Sequence, residues 1–338
     1  MSAKTHLPQE LIPESNPWRV AWIVLGTSVV LGAINLAAWV LAQRMPLSHD
    51  VNMTRSKWRI LRESEPGLDC LVVGDSSGNF GVVPEVLEAE LGWDTRNACT
   101  MGRFLSVGDA WMLREFIDLH GPPSHVVSVH AVRRWEETLA PASLAQVPLP
   151  FGFWNEAPVL DLSWQDERDV FLARFLPLYS SHLSLARWLR EGRVGIENPI
   201  AITDSGRGLL PKASPAGVTR KAIQFRKQLA ARQELAIEPA NVLALETMRD
   251  LADEYGFRLY LAHGPVFDGL AKTPAYRRYL KLLNAHLAGF AASSPNVEVV
   301  LRNPVRFDKG SMENPNHLVG DAPEAYTRRL AAALGALQ

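Results

Sequence analysis

Three short segments carry the residue types that covalent acyl chemistry requires. They are Val73–Gly78 (VGDSSG), Asn97–Gly102 (NACTMG) and Asn314–Leu318 (NPNHL). A serine beside a helix start lies among free backbone N–H groups, which can form part of an oxyanion hole. Its hydroxyl needs a base at neutral pH, and histidine is the usual one. The sequence therefore predicts Ser76 as a nucleophile and His317 as its base.

These segments can meet only if the chain forms a sheet whose strands end at one edge. Apolar runs predict buried parallel strands at Asp69–Gly74, Trp93–Thr100, His125–His130, Phe257–Ala262 and Val297–Leu301. Periodic segments predict helices at Pro84–Leu91, Val107–Leu119, Leu183–Glu191, Asn241–Tyr255, Ala275–Ala291 and Pro323–Leu337. This alternation indicates an α/β fold, a flavodoxin-like three-layer sandwich with a mostly parallel sheet. Ligands bind beyond the carboxyl ends of such strands, where we expect the three segments.

The composition excludes several classes of protein. The chain has 338 residues, with 35 Lys and Arg against 36 Asp and Glu and a net charge of -1. A near-neutral chain with 47% hydrophobic residues is neither globally disordered nor a dedicated nucleic-acid binder. Cys70 and Cys99 are too few for a disulfide scaffold, and we expect two buried free thiols. No stretch has zinc-ligand spacing, so neither a metal nor another cofactor is predicted.

One segment is apolar enough to cross a membrane. Val20–Ala42 contains no charged residue, and its length as a helix is about 34 Å, enough for a hydrocarbon core of about 30 Å. A signal peptide has a shorter apolar core and a small-residue cleavage site, so we expect one uncleaved span. More Lys and Arg residues follow the span than precede it, which favours a cytoplasmic domain. Large domains translocate largely regardless of charge, however, and charge alone leaves the orientation open.

The remaining organisation follows from these segments. We expect a short tail at 1–19, an anchor at 20–43, a polar juxtamembrane linker at 44–65 and one domain at 66–338. Residues 138–235 break the alternation of strands and helices and are predicted to be a large insertion. Within it, 212–232 holds basic residues and no acidic one. This indicates either a solvated helix face or a basic surface for anionic lipid or glycan.

The three segments resemble the sequence blocks of a known superfamily. Gly74-Asp75-Ser76 after the first strand resembles the first block of the SGNH/GDSL hydrolases, and 97–102 is similar to the second. Asn314–Leu318 is similar to the terminal block, which typically reads Asp-x-x-His-Leu. With its N-terminal anchor, the chain looks like the membrane-anchored SGNH proteins of bacterial envelopes, such as those of alginate acetylation and teichoic-acid D-alanylation. The resemblance covers about 66–138 and 238–338.

This resemblance implies roles for individual residues. Ser76 would be the nucleophile and His317 the general base. The backbone N–H groups of Ser76 and Gly102 would form the oxyanion hole. Asp75 and Asn97 belong to the same blocks and are expected to help bind the oxyanion or the substrate.

Two departures from the family pattern affect these roles. The usual acid is Asn314 here, and an amide can orient an imidazole without stabilising an imidazolium as a carboxylate does. Asp308 or Glu313 could substitute, or a Ser-His dyad could act alone. The third block, normally Gly-x-Asn-Asp, is absent, and Arg133 or Arg134 could instead face an anionic substrate. Losing one oxyanion donor costs about 10²–10³ in rate, so reduced or absent activity is one outcome.

Two functional hypotheses follow from the resemblance. The first is a single-pass protein of the bacterial cytoplasmic membrane with an extracytoplasmic domain. It would be an esterase or O-acyltransferase acting on a cell-envelope glycan or exopolysaccharide. Its partners would be the membrane, a glycan acceptor and an acyl donor, such as a membrane-embedded acyltransferase, and not nucleic acid. The second is a non-catalytic SGNH-like scaffold or glycan-binding protein, in which Asp75-Ser76-Ser77 is only a turn and helix cap.

Overall fold

A computed structural model of the chain describes residues 17–44, 49–180, 182–192, 200–232 and 234–337. Most of the expected tail at 1–19 and part of the expected linker, 45–48, lie outside these residues. The helices are α1 (Pro17–Arg44), α2 (His49–Glu63), α3 (Ser76–Gly81), α4 (Pro84–Leu91), α5 (Leu105–His120), α6 (Trp164–Phe175), α7 (Pro177–Ser180), α8 (His182–Glu191), α9 (Pro215–Ala231), α10 (Pro239–Tyr255), α11 (Asp268–Ala271), α12 (Pro274–Ala291) and α13 (Ala322–Gly335). The strands are β1 (Cys70–Gly74), β2 (Thr95–Asn97), β3 (His125–His130), β4 (Ala201–Ile202), β5 (Gly208–Leu209), β6 (Arg258–His263), β7 (Val266–Phe267), β8 (Val297–Val300), β9 (Arg306–Phe307), β10 (Met312–Asn314) and β11 (His317–Leu318).

The centre of the molecule is a five-stranded parallel sheet in the order β2-β1-β3-β6-β8. Its strands are short, apolar and mostly buried, as β1 (CLVVG) and β3 (HVVSVH) illustrate. Such a composition is typical of a sheet that is covered on both faces. The strand order runs outward from β1 and β3, so these two strands flank the point where the winding reverses. Open parallel sheets bind ligands at that point.

Helices cover both faces of this sheet. On one face, α5 and α10 pack against the sheet through residues that include Trp111, Phe116 and Met248. On the other face, α4 and α13 enclose a second cluster around Leu87 and Leu330. Both clusters consist of buried apolar side chains, so each face of the sheet contributes a hydrophobic core. The predicted α/β fold with a mostly parallel sheet is confirmed.

The segment expected as a juxtamembrane linker contains a helix of the folded domain. Helix α2 buries Met53, Thr54, Lys57, Trp58 and Leu61. The ammonium of Lys57 donates hydrogen bonds to the carbonyl oxygens of Asn97 (2.8 Å) and Gly206. Burial among these neutral partners lowers the pKa of Lys57 to about 7. Through these hydrogen bonds α2 is attached to the end of β2 and to the β4–β5 hairpin.

Helix α1 is the one described helix that is long and apolar enough to cross a membrane. Its candidate span covers Pro17–Leu41 with a mean hydropathy of 2.0, which fits a membrane anchor or a signal sequence. The end of α1 is not isolated from the domain. The Asn35 side-chain amide donates a hydrogen bond to the Phe175 carbonyl oxygen (2.8 Å), and Ala38 is buried. The segment α6–α7 of the insertion therefore packs along the last turns of the apolar helix.

Candidate active site

Ser76 is the first residue of α3, directly after the carboxyl end of β1. The chain turns tightly here, because Gly74 has φ +141° and a Cβ at this position would lie 2.0 Å from the carbonyl oxygen of Val129 in β3. Only glycine permits such an approach. Asp75 caps α3 by accepting hydrogen bonds from the Ser77 N–H (2.7 Å) and hydroxyl (2.5 Å). The strand, the glycine and the cap together present Ser76 at the edge of the sheet.

His317 reaches this serine from the far end of the chain. Strands β10 and β11 form a short antiparallel hairpin in which Asn314 lies opposite His317. The imidazole packs 4.8 Å from the ring of Phe80 in α3, measured between ring centres. Its Nε2 atom lies 2.7 Å from Ser76 Oγ. The structure thus brings the two residues predicted at opposite ends of the domain into direct hydrogen-bond contact.

The other ring nitrogen of His317 has two different neighbours. Asn314 Nδ2 lies 2.7 Å from His317 Nδ1, and Glu313 Oε2 lies 3.4 Å from the same atom. The Asn314 Oδ1 atom accepts a hydrogen bond from the Asn316 N–H (3.0 Å), which turns the amide nitrogen toward the imidazole. An amide N–H favours an unprotonated Nδ1, whereas a carboxylate favours Nδ1–H. Asn314 and Glu313 therefore favour opposite tautomers of His317.

Asp75, the residue before Ser76, is buried beneath the candidate site and bonds to the residues that follow β3. It is fully buried, and its Oδ2 atom accepts a hydrogen bond from the Ala131 N–H (3.0 Å) and lies 3.4 Å from Arg134 Nε. Burial by itself would raise the pKa of Asp75. The charges of Arg134 and His130 and the hydrogen bonds from Ser77 outweigh burial and hold that pKa below its usual value. Asp75 is therefore an ionised carboxylate whose oxygens are occupied by the protein, and it joins the ends of β1 and β3.

Arg134 places a positive charge beside the loop that follows β2. Gly102 in that loop has φ +73°, and a Cβ there would lie 2.5 Å from Arg134 Nη2. The glycine thus makes room for the guanidinium, which also pairs with Glu137 and with Asp75. Arg134 lies in the 3-10 helix Val132–Glu136, which follows β3. The structure places Gly102 in contact with this guanidinium.

Two buried histidines at the same edge of the sheet have structural partners. His130 Nε2 lies 2.6 Å from Asp109 Oδ2, and its Nδ1 lies 4.0 Å from Asp75 Oδ2. Burial lowers the pKa of His130, but the two carboxylates outweigh burial and raise it above its usual value. His263 instead bonds to the neutral Asn284 (2.7 Å), and burial lowers its pKa to about 4. Neither imidazole contacts Ser76.

Three other candidates occupy places that differ from the expectation. The Asn97 side-chain amide donates to the carbonyl oxygens of Gly78 (3.1 Å) and Val82 (3.0 Å). Its Oδ1 atom accepts a hydrogen bond from the Cys99 N–H. Asn97 therefore holds α3 in place, and both of its N–H donors are used within the protein. Asp308 caps the turn at 309–311 instead of contacting His317, because its carboxylate accepts from the Gly310 N–H (2.6 Å). Arg133 pairs with Glu137 and lies over the ring of Phe225 (4.2 Å), whereas Arg134 is the arginine paired with Asp75.

The protonation of His317 predicts a pH profile for any reaction in which it acts as a base. Burial lowers its pKa below the usual 6.5, while Glu313 opposes this effect. A base must be neutral, so kcat/KM should rise with pH, with a midpoint below 6.5, and level off before neutrality. Glu313→Gln removes the group that raises this pKa and should move the midpoint to lower pH. A midpoint that stays in place or moves upward in Glu313→Gln would contradict the assignment of Glu313 as the ionic partner.

Two contributors to the site were not singled out by the sequence. The sequence offers Glu313 and Asp308 as alternatives. The structure places the Glu313 carboxylate 3.4 Å from His317 Nδ1, whereas the Asp308 carboxylate accepts from the Gly310 N–H. Arg134 and Arg133 were equivalent in sequence. They diverge because the 3-10 helix Val132–Glu136 directs adjacent side chains to different sides. Among the described residues, no cluster of three or more His, Cys, Asp or Glu side chains has the geometry of a metal site.

Comparison with known proteins adds little to this geometry. No protein-family model and no curated protein matches the chain. Among solved structures, the chain is similar to a protein from Streptococcus pneumonia that is provisionally described as a platelet activating factor. The identity is 12% and the TM-score 0.39, with 88% of this chain and 98% of that chain covered.

Proposed function

We propose that this chain is a serine esterase or O-acyltransferase that works through an acyl-enzyme intermediate on Ser76. The observation that carries the proposal is the 2.7 Å contact between Ser76 Oγ and His317 Nε2, with the Glu313 carboxylate on the other side of the ring. Nucleophile, base and orienting group are the three parts that serine catalysis requires. The resemblance of the three sequence blocks to SGNH hydrolases supports the same roles.

The reaction can be written with these groups alone. Ser76 Oγ attacks the acyl carbonyl while its proton passes to His317 Nε2. The bond between the acyl carbon and the leaving oxygen then breaks, and that oxygen takes the proton from His317. A water or a sugar hydroxyl next gives its proton to His317 and attacks the acyl carbon. The C–Oγ bond breaks, Ser76 recovers its proton, and the product is a carboxylic acid or a new ester.

Arg134 is proposed to assist the developing oxyanion. The Ser76 and Gly102 N–H groups are the expected donors, and the family's third donor, a side-chain asparagine, is absent. The guanidinium lies against Gly102 and is mostly buried, with 12% of its side chain exposed. A fixed cation in a site with little water stabilises negative charge more strongly than one in solvent. This placement favours Arg134 over Arg133 as the cationic group of the site.

The substrate class and the location are proposed together. A helix fit to span a membrane lies directly before the domain and would hold the site near a bilayer. A cell-envelope glycan is the acceptor that the resemblance implies, with an extracytoplasmic domain. The test uses the full chain in detergent with p-nitrophenyl acetate and short glucan or alginate oligosaccharides. Ser76-dependent release of p-nitrophenol is expected, and acetylated oligosaccharide in the mass spectrum identifies transfer. If Ser76 makes no difference to either product, the proposal fails.

A non-catalytic scaffold or glycan-binding protein is the second candidate. One observation favours it: the Asn314 amide nitrogen lies closer to His317 Nδ1 than the Glu313 carboxylate does, at 2.7 Å against 3.4 Å. That contact stabilises the tautomer in which Nε2 is protonated and its N–H donates a hydrogen bond to Ser76 Oγ. In this tautomer the imidazole cannot accept the serine proton. Under this alternative, the full chain binds the oligosaccharides but releases no p-nitrophenol.

A further inference from the structure

A small apolar pocket, with a cavity volume of about 30 Å³, adjoins the candidate site. Its inner wall is formed by segments that neighbour Ser76 and His317. Ala131 donates its N–H to Asp75, and a Cβ on Gly264 would touch the side chain of Ser77. Pro315 and Asn316, directly before His317, close the pocket on the third side. The inner wall is therefore built from residues adjacent to the turn that carries Ser76 and to His317.

The outer wall comes from parts of the chain outside the central sheet. Phe225 and Leu229 of α9, Leu270 of α11 and Tyr276 of α12 line it. Leu229, Leu270 and Tyr276 are nearly inaccessible to solvent. Arg133 lies at the rim, where its guanidinium covers the ring of Phe225 (4.2 Å) and pairs with Glu137. Sugar rings need several hydrogen-bond donors and acceptors, and this wall offers mainly carbon atoms, which suit an aliphatic chain.

We propose that this pocket binds the hydrocarbon part of the acyl group during its transfer through Ser76. This inference rests on the proposed function and deepens it by naming the substrate feature that the site selects. The acyl carbonyl would lie at Ser76, and the chain beyond it would extend between Leu229 and Leu270. The polar acceptor would then approach from the open side. An acetyl group needs little of this space, whereas a butanoyl group must enter it.

The test is the ratio of kcat/KM for p-nitrophenyl butanoate to that for p-nitrophenyl acetate, measured on the full chain. Leu229→Trp fills the pocket and should lower this ratio about tenfold or more, since pockets discriminate by about 10–200-fold per methylene. The fraction of folded enzyme cancels from this ratio, because both esters are assayed with the same enzyme sample. Ile223→Trp, on an exposed part of the same helix, is the matched control and should leave the ratio unchanged.

The outcomes separate the pocket from the proposed function. Ser76-dependent hydrolysis with an unchanged ratio in Leu229→Trp overturns the pocket assignment alone. Absence of Ser76-dependent hydrolysis of either ester overturns the proposed function, and the pocket assignment with it. A lowered ratio in Leu229→Trp but not in Ile223→Trp supports both.

A second inference concerns an exposed aromatic surface on the insertion. We define the aromatic face as Phe151, Trp164, Phe171, Phe175 and Tyr179, of which the least exposed, Phe175, is 37% accessible. Three of its rings form one cluster, with centres 5.9 Å apart for Phe151 and Phe171 and 5.1 Å apart for Phe171 and Phe175. Contiguous exposed rings of this kind mark an interaction surface.

The position of this face relative to α1 identifies its partner. The Phe175 carbonyl oxygen accepts the hydrogen bond from Asn35, which lies six residues before the end of the candidate span at Leu41. That distance corresponds to about 9 Å of helix. A bilayer that surrounds α1 to its end must also meet the residues packed beside Asn35. Aromatic side chains are enriched at that depth, near the boundary between hydrocarbon and head groups.

We infer that the aromatic face lies in the same lipid bilayer as α1 and holds the domain at the membrane surface. Phe171→Cys in the full chain, labelled with an environment-sensitive fluorophore, tests this in phosphatidylcholine–phosphatidylglycerol vesicles. Both native cysteines are buried, so the introduced thiol is the reactive one. Doxyl-labelled lipids should reduce its fluorescence about twofold or more, as expected for a probe buried at the interface. The control is Leu282→Cys, an exposed apolar position on α12.

Equal and weak quenching at both positions would overturn the placement of the aromatic face. Failure of the full chain to float with the vesicles would overturn the anchor and, with it, this inference. Strong quenching at residue 171 alone supports it. Neither readout depends on catalysis, so the result is independent of the proposed reaction.

Discussion

Replacing Ser76 with alanine is expected to lower kcat for p-nitrophenyl acetate by about 10³-fold or more, to the level of the remaining binding and oxyanion contacts. The reason is that Ser76 Oγ is the atom on which the acyl bond forms, and it is the hydroxyl that lies 2.7 Å from His317 Nε2. KM should change little, since the substitution removes one oxygen atom and leaves the walls of the site in place. The measurement is steady-state hydrolysis by the full chain.

The neighbouring serine offers a matched control. Ser77 is equally buried, but its hydroxyl bonds to Asp75 (2.5 Å) and not to His317. Ser77→Ala removes one hydrogen bond to a charged carboxylate, which costs about 1.5–3 kcal/mol of stability, and should lower kcat less than tenfold. If kcat falls equally in Ser76→Ala and Ser77→Ala, the loss reflects disturbance of the turn and not removal of the nucleophile. That result would contradict the assignment of Ser76.

Asn314→Asp is expected to raise kcat by about 10²-fold. With asparagine at this position, Oδ1 is held by the Asn316 N–H, and Nδ2 faces His317 Nδ1. An aspartate at 314 keeps the hydrogen bond from the Asn316 N–H through one oxygen, and its other oxygen accepts from His317 Nδ1–H. With the proton held on Nδ1, His317 Nε2 is free to accept the Ser76 proton. The reverse change in a serine protease costs about 10⁴ in kcat. We expect a smaller gain here because Glu313 already supplies a carboxylate near Nδ1.

The double variant separates the two carboxylates. In Glu313→Gln the imidazolium loses its ionic partner, so kcat should fall, and adding Asn314→Asp should restore it. Asn314→Leu, which is similar in size but cannot bond to Nδ1, controls for simple repacking of the hairpin. A decrease of kcat in Asn314→Asp at the pH plateau would contradict the tautomer argument and would favour the non-catalytic candidate.

Much of the central fold could be predicted from local sequence features. Helix α4 has the expected bounds because Pro84 occupies its first turn and Gly92 ends it in the left-handed conformation. Strand β3 also has the expected bounds, since His125–His130 is an apolar run ahead of a turn. The parallel sheet follows from the alternation of such elements. Because parallel strands end at one edge, the sequence also predicted that Ser76 and His317 would meet.

What could not be predicted depends on side-chain direction and on long-range burial. The sequence treats Asp308 and Glu313 alike, and only their side-chain contacts in the folded chain distinguish them. Lys57 lies in the buried stripe of α2, where a charge is unfavourable, and its carbonyl partners on β2 and on the β4–β5 hairpin come from distant segments. The polar composition of this segment therefore predicts a linker where the structure has a helix. The pocket beside the site is likewise formed by α9, α11 and α12 together, and no single segment indicates it.

The most direct test of the central claim is covalent labelling of the full chain with a fluorophosphonate, followed by mass spectrometry of the digested protein. Such a reagent forms a P–O bond with an activated serine hydroxyl and releases fluoride. We expect one adduct, on the peptide that contains Ser76, with labelling strongly slowed in His317→Ala and absent in Ser76→Ala. No adduct on wild-type protein, or an adduct on Ser77 or another serine, would contradict it.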